Sequence, residues 1–112
     1  MIEIRNYHYR PDLFEAYREW AINDAVPFLK EALDVVGFWI SNGEAEELTG
    51  SDPKEHPHGA ANVTWIIRWD SKAARDKAFA EVFGGEGWQA VWDKHPDQNG
   101  YLQMQAKFME EL

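Results

Sequence analysis

Large apolar and smaller or polar side chains alternate most strongly over residues 61–71, Ala-Asn-Val-Thr-Trp-Ile-Ile-Arg-Trp-Asp-Ser. From Val63 to Trp69 the residues are β-branched or aromatic apart from Arg68, which predicts a central strand with Val63, Trp65, Ile67 and Trp69 on one face. Asp70-Ser71 stops it and offers a hydroxyl to cap a helix over 72–83, in which Ala74, Ala78, Phe79, Val82 and Phe83 are expected to be buried. Residues 2–9 alternate as a first strand, with Ile2, Ile4, Asn6 and His8 opposed to Glu3, Arg5, Tyr7 and Tyr9. Pro11 suits a helix entrance. Leu13, Phe14, Tyr17, Trp20 and Ala21 then recur at three- and four-residue spacing. Pro27 interrupts that pattern before it resumes with Phe28, Leu29, Ala32 and Leu33, so a kink is expected near residues 23–26.

Residues 35–41 are nearly all apolar and read as a strand covered on both faces, with Gly37 marking a bulge or a close approach. The polar connection at 42–60 is long for a compact fold and reads as a lid or a hairpin tip. Gly84-Gly85 ends the second long helix. A short helix over 87–94 places Trp88, Val91 and Trp92 on one side. Residues 101–108 form the last strand, with Leu102, Met104, Ala106 and Phe108 opposed to Tyr101, Gln103, Gln105 and Lys107.

The order strand, helix, strand, strand, helix, strand predicts an α+β fold: a ferredoxin-like βαββαβ arrangement in which a four-stranded antiparallel sheet carries its helices on one face. The other face then shows Ile2, Ile4 and Ile66, with some of Val36, Phe38 and Ile40, a patch too contiguous for a monomer. Two such sheets packed face to face in a homodimer would cover it.

Composition narrows the function classes. At 112 residues one domain is expected over 1–112. A net charge of −9 argues against nucleic acid and against an anionic membrane surface as partners. With no Cys there is neither a disulfide nor a thiolate site, and strand-like sequence from Ile2 leaves no room for a signal peptide, so the expected location is cytoplasmic. Six Trp, six Phe and four Tyr in so short a chain call for an aromatic core or pocket.

Four stretches in order, Ile4-Arg5-Asn6-Tyr7, Gly37-Phe38-Trp39, Ile67-Arg68-Trp69-Asp70-Ser71 and Trp88-Gln89-Ala90-Val91-Trp92, resemble NIPSNAP domains at similar spacing. The resemblance covers nearly the whole chain and implies the dimeric α+β barrel fold, with a ligand cavity between helices and sheet in each subunit. The 42–60 connection is longer than the hairpin usual in that family, and Trp65 stands where many members carry His, so His-based chemistry is not expected there.

With the isoleucines assigned to the sheet-on-sheet side, Glu3, Arg5 and Tyr7 turn towards the helices, side by side on one strand. Arg5 then suits a carboxylate or enolate oxygen, Tyr7 a hydroxyl donor and Glu3 an orienter or base. The simpler and favoured account is that Glu3 and Arg5 neutralise each other structurally. Trp20, Trp65, Trp69, Trp88 and Trp92 are candidates to wall a pocket for a flat ligand, against the plainer reading of ordinary core. His56 and His58, near Asp52 and Glu55, lack the rigid spacing of a metal site and read as solvated loop; His8 reads as a hydrogen-bonded residue of the dimer side or rim. His95 carries no assigned role. No metal and no cofactor are expected, since no phosphate loop, nucleophile elbow or dinucleotide fingerprint is present. The function expected is binding of a small hydrophobic or aromatic ligand by a NIPSNAP-like homodimer, with no reaction assigned. Two alternatives stand beside it: a cofactor-independent monooxygenase or cyclase-like isomerase, and a non-catalytic protein-interaction module.

Overall fold

In a computed structural model that describes all residues from Met1 to Leu112, the elements follow the predicted order. They are β1 (Ile2–Tyr9), a 3-10 turn (Pro11–Leu13), α1 (Phe14–Trp20), a π-helical turn (Ala21–Ala25), α2 (Val26–Ala32), β2 (Val35–Ile40), β3 (Val63–Arg68), α3 (Lys72–Phe83), α4 (Glu86–Trp92) and β4 (Tyr101–Met109). The four strands form one antiparallel sheet in the order β2-β3-β1-β4, so the ferredoxin-like α+β arrangement holds and β3 lies inside the sheet. No helix is long and apolar enough to cross a membrane.

The π turn is the local answer to Pro27. A proline has no N–H to give the preceding turn and its ring crowds that turn's carbonyl, so the helix widens just upstream: the Val26 N–H bonds to the Ala21 carbonyl, five residues back. Across this turn every fourth residue from Tyr17 to Leu33 (Tyr17, Ala21, Ala25, Leu29, Leu33) is buried on the sheet. At the other long helix the Ser71 hydroxyl accepts from the Ala74 N–H at 3.0 Å, capping α3 as the sequence indicates.

Register fixes which side chains meet. Glu3 pairs with Ile67, Arg5 with Trp65 and Tyr7 with Val63, so the predicted inward faces of β1 and β3 coincide, and Val63, Trp65, Ile67, Tyr7 and Tyr9 form the core with the α1–α2 residues. Three expectations are corrected. Phe38 and Ile40 pair with Trp65 and Val63 and so face the helices, while Val36 and Trp39 are half-exposed; β2 is an edge strand, and within the chain it is not covered on both faces. A register shift between His8 and Tyr9 brings Tyr101 to the same side of β4 as Met104, Ala106 and Phe108, where simple alternation opposes them. On α3, Ala74 is exposed and Arg75 turns inward, and none of the helix's residues is fully buried.

Gly37 is both bulged and closely approached. The β2–β3 register shifts between Val35 and Gly37, and the Trp39 ring lies so near Gly37 that a Cβ there would sit 2.3 Å from it. The 42–60 connection has no helix or strand, and its first residues, Asn42 and Gly43, lie beside Phe14, Glu15 and Arg18 of α1. Its later part folds over the end of β1 on the other side, where His56 stacks on His8 at 4.0 Å and the Gly59 carbonyl lies 3.0 Å from His8 Nε2. None of its residues lines the space between the helices and the sheet.

Candidate functional site

Between the helices and the sheet lies a cavity of about 250 Å3. The sheet contributes Arg5, Tyr7, Phe38, Trp65, Tyr101 and Met104; the helix layer contributes Tyr17, Trp20, Ala25 and Leu29 from the α1–α2 unit, Phe79 and Phe83 from α3, and Trp88 and Trp92 from α4. The Trp20 indole N–H donates to the Val91 carbonyl at 2.9 Å, tying α1 to α4 and leaving only its ring against the space. Phe83 meets Trp88 edge-on at 4.9 Å, and Trp88 packs near Phe28 at 5.7 Å. α4 can come this close because Gly87 has no side chain: a Cβ would lie 2.9 Å from the Phe28 ring.

Of the residues singled out from the sequence, Arg5, Tyr7, Trp20, Trp65, Trp88 and Trp92 border this cavity. Glu3 and Trp69 do not. Glu3 is completely buried behind Arg5, and its carboxylate accepts four hydrogen bonds: from Trp69 Nε1 (3.0 Å) and Arg75 Nε (2.9 Å) at Oε1, and from Arg5 Nη1 (2.7 Å) and Arg75 Nη2 (2.8 Å) at Oε2. Burial pushes the Glu3 carboxyl up, but the hydrogen bonds from Arg75 and Arg5 outweigh it and hold the group below its ordinary value. Such a saturated carboxylate orients Arg5 and does not act as a base. Sequence reasoning assigned no role to Arg75. Its guanidinium lies 4.0 Å from the Phe79 ring centroid and 5.2 Å from that of Phe108.

Arg5 spends Nη1 on Glu3 and Nε on the Tyr7 hydroxyl at 2.7 Å; its Nη2 makes no hydrogen bond within the protein. The Tyr7 oxygen also accepts from Trp65 Nε1 at 2.9 Å, a bond made possible by the Arg5–Trp65 register pair. Burial raises the Tyr7 phenol above its ordinary value despite the opposing Arg5 charge, so it stays protonated at neutral pH.

At the other end of the cavity His95, left without a role by the sequence, is buried against Trp20 (4.2 Å) and Trp92 (4.7 Å). Its Nδ1 accepts the Asp97 backbone N–H at 3.0 Å, so the proton of the neutral ring sits on Nε2, 2.8 Å from the Tyr101 hydroxyl. Burial pulls the His95 pKa down to about 4 and drives the Tyr17 and Tyr101 phenols far up. No group of three or more His, Asp or Glu side chains is placed to hold a metal, and His56 and His58 pack against His8 instead.

A four-stranded antiparallel sheet, helices on one face and an aromatic cavity between them define a ferredoxin-like α+β protein with a partly open, small-molecule-sized space. Solved structures narrow the fold further: it is that of NIPSNAP proteins. A NIPSNAP-like domain protein from Burkholderia xenovorans superposes with a TM-score of 0.73 at 14% identity, covering 99% of this chain and 84% of that one. Two NIPSNAP family proteins from Agrobacterium tumefaciens match with TM-scores of 0.71 and 0.70 at 17% and 12% identity, covering 96% and 95% of this chain and 84% and 80% of theirs; the first is described as of unknown function. No known family's sequence profile matches the chain, and no curated protein does.

Proposed function

We propose that this protein is a NIPSNAP-like homodimer that binds a small hydrophobic or aromatic molecule in the cavity between its helices and its sheet, with no reaction assigned to it. One observation carries the reading: a space of about 250 Å3 is walled almost wholly by aromatic and aliphatic side chains, with a single charged residue, Arg5, at its border. Pockets that take small molecules have this composition, many apolar walls and few convergent polar groups, and the size suits a ligand smaller than a typical drug. A tightly packed core would leave no void of this kind among side chains this large.

The dimer rests on the opposite face. Ile2, Ile4 and Ile66 lie there without a helix over them, beside the half-exposed Trp39, and only 15 of the 112 residues are fully buried within one chain. The radius of gyration is 15.0 Å where a chain of this length is expected near 13 Å, and the shortest dimension is 19 Å, the thickness of one sheet and one helix layer. A second copy supplies the missing layer.

Titration of the intrinsic tryptophan fluorescence with flat one- and two-ring aromatics tests the cavity. Saturable quenching, abolished by Leu29→Trp, which fills the space from the helix side, is the expected result. A spectrum indifferent to every such compound would remove the ligand-binding function and leave a closed interaction module.

A further inference from the structure

We infer that the ligand is an aromatic or enolic oxyanion, a flat ring bearing a carboxylate, phenolate or enolate oxygen that is held by Arg5 Nη2 and the Tyr7 hydroxyl. This rests on the ligand-binding reading above and specifies its chemistry.

The cavity has no carboxylate, carboxamide or histidine in its lining, so the usual hydrogen-bond acceptors are missing. Two of its polar groups, Arg5 and Tyr7, each keep a donor free. The Tyr7 oxygen already accepts from Arg5 Nε (2.7 Å) and Trp65 Nε1 (2.9 Å), which leaves its own O–H as the free half of the group, and that proton has no acceptor in the protein. Arg5 has two of its three nitrogens occupied, by Tyr7 and Glu3, and the third, Nη2, is free. At the far end, Tyr101 accepts from His95 Nε2 at 2.8 Å and its own hydroxyl is engaged with that of Tyr17, so this end offers the ligand no free donor. The His95 tautomer that imposes this is set by the Asp97 backbone N–H.

Charge points the same way. Glu3 is shared by two guanidiniums, Arg5 and Arg75, and Arg75 is also paired with Asp76, which holds Lys72; this connected set of three cations and two carboxylates carries one positive charge in excess. Arg5 is 11% exposed and stands among the Tyr7, Trp65 and Phe79 rings, with its guanidinium carbon 5.3–5.8 Å from their centroids. In such apolar surroundings the free N–H edge of a guanidinium binds an anion more strongly than it does in water. The chain as a whole is acidic, at −9, so this preference belongs to the cluster and not to the protein's overall field. A cation or an amine meets an arginine here and no carboxylate to pair with.

The test is calorimetric titration of the intact protein at neutral pH with four probes on one ring system: 2-naphthoate, 2-hydroxy-1,4-naphthoquinone ionised to its enolate, neutral 2-naphthamide and cationic 2-naphthylmethylammonium. One or both anions should bind at least tenfold more tightly than the amide, as one charge-assisted hydrogen bond warrants, and the cation should not bind measurably. Naphthoate ahead of the enolate assigns a carboxylate ligand; the reverse order assigns a phenolate or enolate. In Arg5→Met the anion-to-amide ratio should fall to about one while the amide still binds; the ratio in the unaltered protein needs no variant and stands if that one fails to fold. Amide binding equal to that of the anions, or tighter binding of the cation, overturns the inference and leaves the ligand-binding reading intact. Failure of all four to bind overturns both.

Discussion

Arg75 grips Glu3 side-on, with Nε 2.9 Å from Oε1 and Nη2 2.8 Å from Oε2, across 72 residues of sequence. This paired contact fastens the second turn of α3 to the start of β1, and Arg5 and Trp69 complete the set of donors around the same carboxylate. Because α3 has no fully buried residue, the ion cluster at its N-terminal half and the Phe79 and Phe83 rings further along are what hold it over the sheet.

Removing Glu3 should therefore cost more than a surface ion pair would. Glu3→Ala leaves two guanidiniums facing each other with no anion between them, a loss of about 3–5 kcal/mol for a buried charge deprived of its partner. Chemical denaturation measures it. A loss below about 1 kcal/mol would mean that the cluster is solvated and contributes as surface pairs do.

Stability should fall on acidification within a window set by His95. Its pKa in the folded chain is about 4, against 6.5 as the ordinary value, so the unfolded chain binds the proton first. The contribution is fully present above pH 6.5 and is lost as pH falls towards 4, about 3 kcal/mol in all. His8, lowered mainly by burial, adds loss of the same sign, and Glu3, also lowered, adds its own below the ordinary carboxylate value. Urea midpoints measured from pH 7 to pH 4 should drop, with a shallower drop in His95→Gln; an unchanged slope in that variant would place the titration elsewhere.

The helix cap gives a smaller, local effect. Ser71→Ala removes the acceptor of the Ala74 N–H and should destabilise the chain by about 1 kcal/mol, while Ser71→Asp should be close to neutral. Thermal melts of the two variants check it, and equal losses in both would show that the hydroxyl is not acting as a cap.

The outer face predicts a concentration-dependent dimer. Ile66→Asp puts a charge where Ile4 pairs with it across the β1–β3 ladder, in the middle of that face. Sedimentation should report twice the 13.0 kDa chain mass for the unaltered protein and one chain for the variant. A monomeric unaltered protein at micromolar concentration would leave the apolar face without its explanation.

Much of this architecture is legible in the sequence because strand alternation has a period of two: once Ile2 and Ile4 are assigned to one side, Glu3, Arg5 and Tyr7 must take the other, and they do. The same arithmetic fails at β4, where the shift between His8 and Tyr9 turns Tyr101 inward, an event that no local pattern announces. Arg75 escapes for a different reason. Lys72-Ala73-Ala74-Arg75-Asp76-Lys77 has no apolar stripe, so nothing shows that one of its cations faces inward until the carboxylate on β1 is known to stand opposite. Trp69 is correctly placed on the helix side, yet its N–H is drawn to Glu3 and its ring stays off the cavity. Hydrogen-bond partners remote in sequence decide such cases.

The six indole N–H signals offer the most direct test of the cavity's role. Trp20, Trp65, Trp88 and Trp92 border it, Trp39 lies on the opposite face, and Trp69 stands behind Glu3. In a nitrogen–proton correlation spectrum titrated with 2-naphthoate, saturable shifts should appear at Trp65, Trp88 and Trp92 while the Trp39 signal stays in place. Shifts centred on Trp39, with Trp65 and Trp88 unmoved, would contradict a ligand site between helices and sheet.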